Sequence, residues 1–426
     1  MLPWAGARRS TCGETRAMTE SGDRTLLVVN LGSSTLKAAR YELSGSSAAG
    51  SARLSRRIQI AWADPDPDPN SNPNPNPNPN PNPNPNPNPN PNPNPNPNPG
   101  LGAAFAEAID TLELAAAPAL VGHRIVHGGD AARARVLDAA ERERLRGLCG
   151  LAPLHQPASL TLVDAVADRW PGVEQYAAFD TVWHAHLPAN TRRLAVPRAW
   201  DALGIRRYGF HGLAFASAMR QVRSAHPSLG RERAVLAHLG SGCSLCAVRD
   251  GQSIDTTMAS TPLDGLPMAT RSGTLDPGAL LYLLRSGGLT ADAVERALYR
   301  DCGLRGISGL SGDTRDLLAA DSVEAALALD IFALRTAQGI AAMATRLGGI
   351  DHLIFSGGIG ANAPLVRSSI AAYLGWLGIG LAEAANVRGD ARLESPHSRT
   401  KVWRVDVDEE AEIASVCAVA TALPWP

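Results

Sequence analysis

The chain has 426 residues, 44% of them hydrophobic and 19% charged, with a formal net charge of -1. That length exceeds one ordinary core and predicts two or three domains. The charge balance excludes a strongly basic nucleic-acid binder and an acidic disordered tail, while leaving room for a local basic cleft.

The first 23 residues lack an apolar signal core and read as a loose extension, with Met18 as an alternative start. In VVNLGSSTLKAARYEL, Thr25–Asn30 and Lys37–Leu43 are strand candidates around an unusually polar glycine-serine turn, and Arg53–Ala63 offers a third strand. From 64 to 99 the chain runs through Asp-Pro and then Asn-Pro repeats. Each proline removes a donor and restricts the residue before it, so a low-complexity insertion without helix or central strand is expected.

Beyond it, AAFAEAIDTLELAAA predicts a helix and ALVGHRIVHGGD a strand running into a polar loop. Ala139–Leu148 is a helix, and another follows APLHQPASL with Pro157 near its start. EQYAAFD is a strand ending at Asp180. RAVLAHLGSGCSLCAVRDG repeats the earlier layout of strand, glycine-serine turn and strand. Ser322–Leu347 is a long alanine-rich helical stretch with room for a break, and DHLIFSGGIGAN places a third glycine loop after an apolar strand. This alternation predicts an α/β fold, with the two hairpin units as two related domains facing one another. No stretch is read as a membrane span, and a cytoplasmic protein is expected. Six cysteines do not suggest a disulfide scaffold. Cys243 and Cys246 sit on an alternating strand, which favours buried structural thiols over redox or zinc chemistry.

Small residues at strand ends let backbone amides approach an anion, and serine and threonine hydroxyls add donors. One such loop is no more than a turn. Three, each closing an apolar strand, point to a nucleotide or phosphoryl site, yet neither the G-x-x-x-x-G-K-[ST] loop nor the dinucleotide fingerprint is present. Arg124, His127, His155, Asp180, His211 and Arg271 lie in the segments between. Singly each has a bland explanation. Together they repeat a pattern of strand-end polar residues beside glycines, where sheet proteins bind ligands, and arginines with histidine suit carboxylate and phosphoryl oxygens.

The stretches VVNLGSSTLK, GHRIVHGGD, APLHQPASL, FDTVWHAHLP, RRYGFHG, HLGSGCS, TPLDGLPMATRSGTLDP, GISGLSGDTRD, FSGGIGAN and DEEAEIA, in this order from about residue 25 to 414, resemble the acetate kinase family. That family lies within the sugar kinase, Hsp70 and actin superfamily. The resemblance implies two facing ribonuclease-H-like α/β lobes with the active site in the interlobe cleft. It divides the chain into an extension (1–23), an N-terminal lobe (24–180) carrying the insertion (64–99), a nucleotide-binding lobe (181–408) and a returning C-terminal segment (409–426). It implies reversible phosphoryl transfer between ATP and acetate, giving acetyl phosphate and ADP, with magnesium or manganese, in a homodimer needing neither nucleic acid nor membrane.

By the same resemblance Asp180, Arg124, His211, Arg271 and His155 would surround the transferring group. Asn30, Ser33, Thr35 and Lys37 would form the first phosphate-side segment. Val126, Leu154, Phe210 and Pro262 would line the acyl pocket beside Arg124. His238, Gly240, Ser241, Gly242, Asp313, Thr314, Arg315, Gly358 and Gly360 would hold the nucleotide, and Asn30 with Glu409, or its neighbour Glu410, would serve the metal. The chain departs from the family pattern at Leu31, Ser241, Thr274, Thr314 and Ala361, where alanine, asparagine, aspartate, a bulkier residue and glutamate are usual. The alternative readings are a propionate or other short-chain acyl kinase, a catalytically weak nucleotide-binding regulator, and an interaction protein using the Asn-Pro segment.

Overall fold

The computed structural model describes residues 24–32, 35–44, 51–62, 99–114 and 116–421. The Asn-Pro repeats, the N-terminal extension and Ser33 lie outside the described residues.

Two open sheets are built on one plan. The first contains β1 (Arg24–Leu31), β2 (Thr35–Ser44), β3 (Ser51–Ala61), β4 (Leu120–Ile125), β5 (Arg135–Val136) and β6 (Glu174–Phe179), in the order β3-β2-β1-β4-β6-β5. An antiparallel β1–β2–β3 meander joins a parallel core of β1, β4 and β6. The second contains β7 (Ala234–Leu239), β8 (Cys243–Arg249), β9 (Gln252–Thr256), β10 (His352–Ser356) and β11 (Lys401–Arg404), in the order β11-β10-β7-β8-β9. Again an antiparallel meander, β7–β8–β9, extends a parallel core.

The central strands are apolar on both faces because helices cover both. In β1, Leu27 and Val29 face the helix Pro99–Thr111 through Leu101 and Phe105, whereas Leu26 and Val28 face the helix Glu409–Ala420 through Ile413 and Cys417. In β7, Val235 and Ala237 join the core of the helix Val323–Leu347, and Ala234 and Leu236 pack with the helix Gly212–Ala225. The chain's last helix thus returns to its first strand.

Two expectations are corrected. Val323–Leu347 is unbroken, and it is long and apolar enough to cross a membrane. It is nonetheless a core helix: Phe332, Ala333, Ile340 and Ala344 are buried in the second lobe. The stretch GGIGAN is a short helix, Gly357–Asn362, rather than a loop. Gly357 turns the chain out of β10 at φ +80°, where an added Cβ would lie 2.5 Å from the Leu239 carbonyl oxygen. The guanidinium of Arg367 then donates to the Gly360 and Ala361 carbonyls, both at 2.9 Å, satisfying acceptors that a helix end leaves open.

Candidate active site

A cavity of about 230 Å³ opens where the carboxyl ends of β1, β4 and β6 meet those of β7 and β10. Parallel strands deliver their following loops to one edge, so residues distant in sequence converge there. Asn30, Lys37, Arg124, Val126, His155, Asp180, Phe210, His211, His238, Gly240, Ser241, Gly242, Pro262, Arg271, Gly358 and Glu409 all line it. Thr35 also lines it, as do Gly32 and Val407, which the sequence did not single out.

Arg124 is the best-anchored charge. Its Nε donates to both Asp180 carboxylate oxygens at 3.1 and 3.2 Å, its NH2 to Oδ2 at 2.7 Å, and its NH1 to Asn30 Oδ1 at 3.3 Å. Glu409 stands 3.4 Å from the same guanidinium. Asn30 Nδ2 in turn donates to Glu409 at 3.0 Å and Glu410 at 2.6 Å. Burial disfavours the Arg124 charge, but the carboxylates of Asp180 and Glu409 outweigh it and hold the guanidinium protonated. Burial pushes the Asp180 carboxyl up, and the Arg124 charge opposes that rise. Burial would raise Glu409 as well, but Arg124, with smaller help from His238 and Asn30, keeps it below the usual carboxylate range.

Arg271 is different. It is buried, yet its contacts are the Pro262 carbonyl at 3.2 Å, the Met268 sulfur at 3.9 Å and His155 Nε2 at 3.2 Å, with no carboxylate among them. Burial pulls its pKa down, and Arg124 adds to that fall. The neighbouring histidines are neutral. Burial, then the charges of Arg271 and Arg124, hold His155 well below the ordinary imidazole range. For His211 the causes are burial, His238 and the two arginines. Burial brings His238 to about 4. Because Arg271 can only donate, His155 Nε2 accepts.

A second cavity, about 710 Å³, shares Gly240, Ser241 and Gly358 with the first. Asp313, Thr314, Arg315, Leu318, Ile359 and Pro364 also line it. The helix Thr314–Ala319 begins here, with the Asp313 carboxylate accepting from the Arg315 amide at 2.8 Å.

Two expected positions are corrected. Leu154 does not line the cleft; it is half-buried in the tight turn that presents the adjacent His155, and consecutive turn residues point in different directions. Gly360 lines neither cavity, because it faces β7, where an added Cβ would lie 3.6 Å from Ala237 O and from Leu239 Cβ. Of Glu409 and Glu410, Glu409 reaches the cleft and Glu410 is buried behind it. Among the departures, only Ser241 and Thr314 touch the cavities. Thr274 caps Asp264 at 2.8 Å in a separate groove, and Ala361 is buried.

His226, Glu232 and His352 also converge, at the opposite ends of the second sheet's parallel strands. Their nitrogens are spent on protein partners. His226 Nε2 lies 2.9 Å from a Glu232 carboxylate oxygen and 3.0 Å from Lys401 Nζ, and Trp403 Nε1 donates to His352 Nδ1 at 3.0 Å, which leaves the His352 proton on Nε2, facing Glu232. This is a closed hydrogen-bonded chain far from the cleft chemistry. Cys243 and Cys246 are likewise buried thiols, pushed by burial to about 12.

Two facing α/β lobes with open sheets, and a polar cleft at their strand ends, are the architecture of the sugar kinase, Hsp70 and actin superfamily. The sequence model of the Acetokinase family matches residues 97–415. An acetate kinase of Methylocella silvestris is 43% identical over 294 residues, covering 69% of this chain and 73% of that protein. One of Rhizobium meliloti is 44% identical over 295 residues, covering 69% and 75%. Among solved structures, a propionate kinase from Francisella tularensis superposes with a TM-score of 0.75 at 28% identity, covering 92% of this chain and 98% of that one. The Porphyromonas gingivalis acetate kinase gives 0.71 at 26%, with the same coverage. The chain belongs to the acetokinase family. The match begins at residue 97, within the last Asn-Pro repeats and beyond Asn30 and Lys37, so their placement in the cleft rests on the fold itself.

Proposed function

We propose that the protein is an acetate kinase, moving the γ-phosphoryl group of ATP to a carboxylate oxygen of acetate and back. The observation that carries this reading is the contrast between the two cleft arginines, Arg124 half-buried and Arg271 buried. Arg124 has its carboxylates, while Arg271 lacks one, and a buried cation without a counter-charge is a receptor for an anion. Acetate is already ionised near neutral pH, so attack on the γ-phosphorus needs alignment and charge cover rather than a general base. One P–O bond forms to acetate and one breaks to ADP, with no enzyme-bound phosphoryl intermediate.

In this reading the Arg271 fork holds the acetate and phosphoryl oxygens, Arg124 covers charge on the opposite side, and neutral His211 donates to the group in transit. His155 acts on Arg271 through its Nε2. Asp180 fixes Arg124. Val126, Phe210 and Pro262 form the apolar corner for the methyl group. One extra methylene is discriminated by only about 1–3 kcal/mol, so propionate is the second acceptor to test, as the Francisella structural relative also suggests. The phosphates would lie along Lys37, His238, Gly240, Ser241, Gly242 and Gly358, and the nucleoside in the cavity of Asp313, Thr314 and Arg315.

Asn30 and Glu409 offer hard oxygen donors beside the phosphate path, and Glu409 is held ionised, so the donor set fits magnesium or manganese. When bound, the ion would neutralise phosphate charge. Homodimer formation is supported by the helix Pro277–Arg285, which has no buried residue and exposes Leu281, Tyr282 and Leu284. A cytoplasmic location accords with the burial of the long apolar helix in the core. The test is a coupled assay of magnesium-dependent ADP release with acetate, propionate and butyrate. Release that does not depend on any of the acids would overturn the reading.

A further inference from the structure

His211 has a partner in HLGSGCS to which the sequence reading gives no role. Its Nδ1 lies 2.8 Å from Ser244 Oγ, on β8. Ser244 is fully buried, and this is its hydroxyl's only hydrogen bond among the described residues. The hydroxyl proton therefore has one productive direction.

The other ring nitrogen faces the cleft. Nε2 and the NH1 of Arg271 border the same space over Gly242, where a Cβ would stand 3.1 Å from the first and 3.5 Å from the second. The His211 backbone is at φ +60°, ψ 25°, a left-handed conformation that is unfavourable for a non-glycine residue. The fold thus maintains this ring placement at a cost.

A neutral imidazole carries one N–H. An Nδ1–H would bond the Ser244 oxygen, strand the serine proton without an acceptor, and turn an Nε2 lone pair toward incoming phosphoryl oxygens. The opposite tautomer satisfies every group: Ser244 donates to Nδ1, and Nε2–H points at the anion.

We infer that Ser244 is a positioning residue for phosphoryl transfer, its hydroxyl donating to His211 Nδ1 so that Nε2 presents its proton to the phosphoryl oxygens. This rests on the kinase reading above for its purpose, but the tautomer itself is a property of the free protein.

The experiment is long-range ¹H–¹⁵N NMR on protein labelled at histidine, with His211 assigned by the signals missing from His211→Gln. At neutral pH the native protein should show His211 protonated on Nε2. Ser244→Ala removes the donor that excludes Nδ1–H, so a minor Nδ1–H population should appear beside Nε2–H, and kcat should fall about 10- to 100-fold, a range below the loss of a full transition-state donor. KM for acetate and ATP should stay within about twofold. Ser244→Cys, a weaker donor, should fall between. A native His211 protonated on Nδ1 overturns the inference without reference to any variant, and so does a Ser244→Ala protein with unchanged tautomer and kcat. A native protein without acid-dependent ADP release would instead count against the kinase reading, leaving the tautomer result to stand by itself.

Discussion

Arg124 grips Asp180 through two of its nitrogens, the shortest contact being 2.7 Å; Asp180 is buried, and Arg124 is half-buried at the cleft. Asp180→Asn keeps the shape but removes the counter-charge and one acceptor. We expect kcat to fall at least about 100-fold. Steady-state ADP release, with circular dichroism to check folding, measures it; a variant within fivefold of native would show that the pair is structural.

Arg271→Ala should also lose at least about 100-fold in kcat. Lysine should restore little, because it lacks the planar fork. Arg271→Met carries a second, opposite expectation. It removes a buried cation that has no carboxylate partner, so its melting temperature should equal or exceed the native value. A lower melting temperature would mean that the charge supports the fold.

Glu409→Gln retains a hydrogen-bonding side chain but takes away an ionised oxygen. The magnesium concentration giving half-maximal rate should rise about tenfold or more. Titration of activity against magnesium and manganese reads this directly. An unchanged requirement would move the ion elsewhere in the cleft.

Acid should weaken the fold through its buried histidines. Burial lowers His123, His184 and His238 to about 4, whereas an unfolded imidazole titrates near 6.5. Between those values the unfolded chain holds more protons, so stability falls as pH falls from about 6.5 to 4 and levels below. Each group contributes a slope of about 1.4 kcal/mol per pH unit across that window. Denaturant midpoints at a series of pH values should show it, and His123→Leu should make the curve shallower. A flat profile would contradict neutral buried imidazoles.

Gly212 sits against the backbone of Asp180. Its amide donates to Asp180 O at 2.9 Å, and an added Cβ would lie 2.2 Å from that oxygen. Gly212→Ala should cost about 1–3 kcal/mol in unfolding free energy and depress kcat by shifting Asp180. Native stability in urea would refute the close approach.

Much of this was readable before any coordinates. Apolar strands ending in glycine and serine announce a polar loop by composition, while the individual roles of Asn30, His238, Gly240 and Gly358 are implied only by the resemblance to the family. Residues set by long-range packing were harder. Leu154 and His155 are adjacent, yet only the turn geometry decides which one enters the cleft. GGIGAN has loop composition, yet it is helical, with its Gly360 and Ala361 carbonyls accepting from Arg367 a few residues on and, at Ala361, from Arg404 43 positions away. Ser244 is one serine among several in HLGSGCS. Its pairing with His211, 33 positions away, follows from β8 lying beside β7 and leaves no local signal.

Asn30 meets Glu409 and Glu410 across 379 and 380 positions of chain. A polypeptide still emerging from the ribosome can complete both sheets, but it lacks the carboxylate that finishes the cleft until its final helix is made. Such distant closures come late and slow a folding reaction. In the kinase reading, a chain that lacks the helix Glu409–Ala420 should be inert, however well its remaining body is formed.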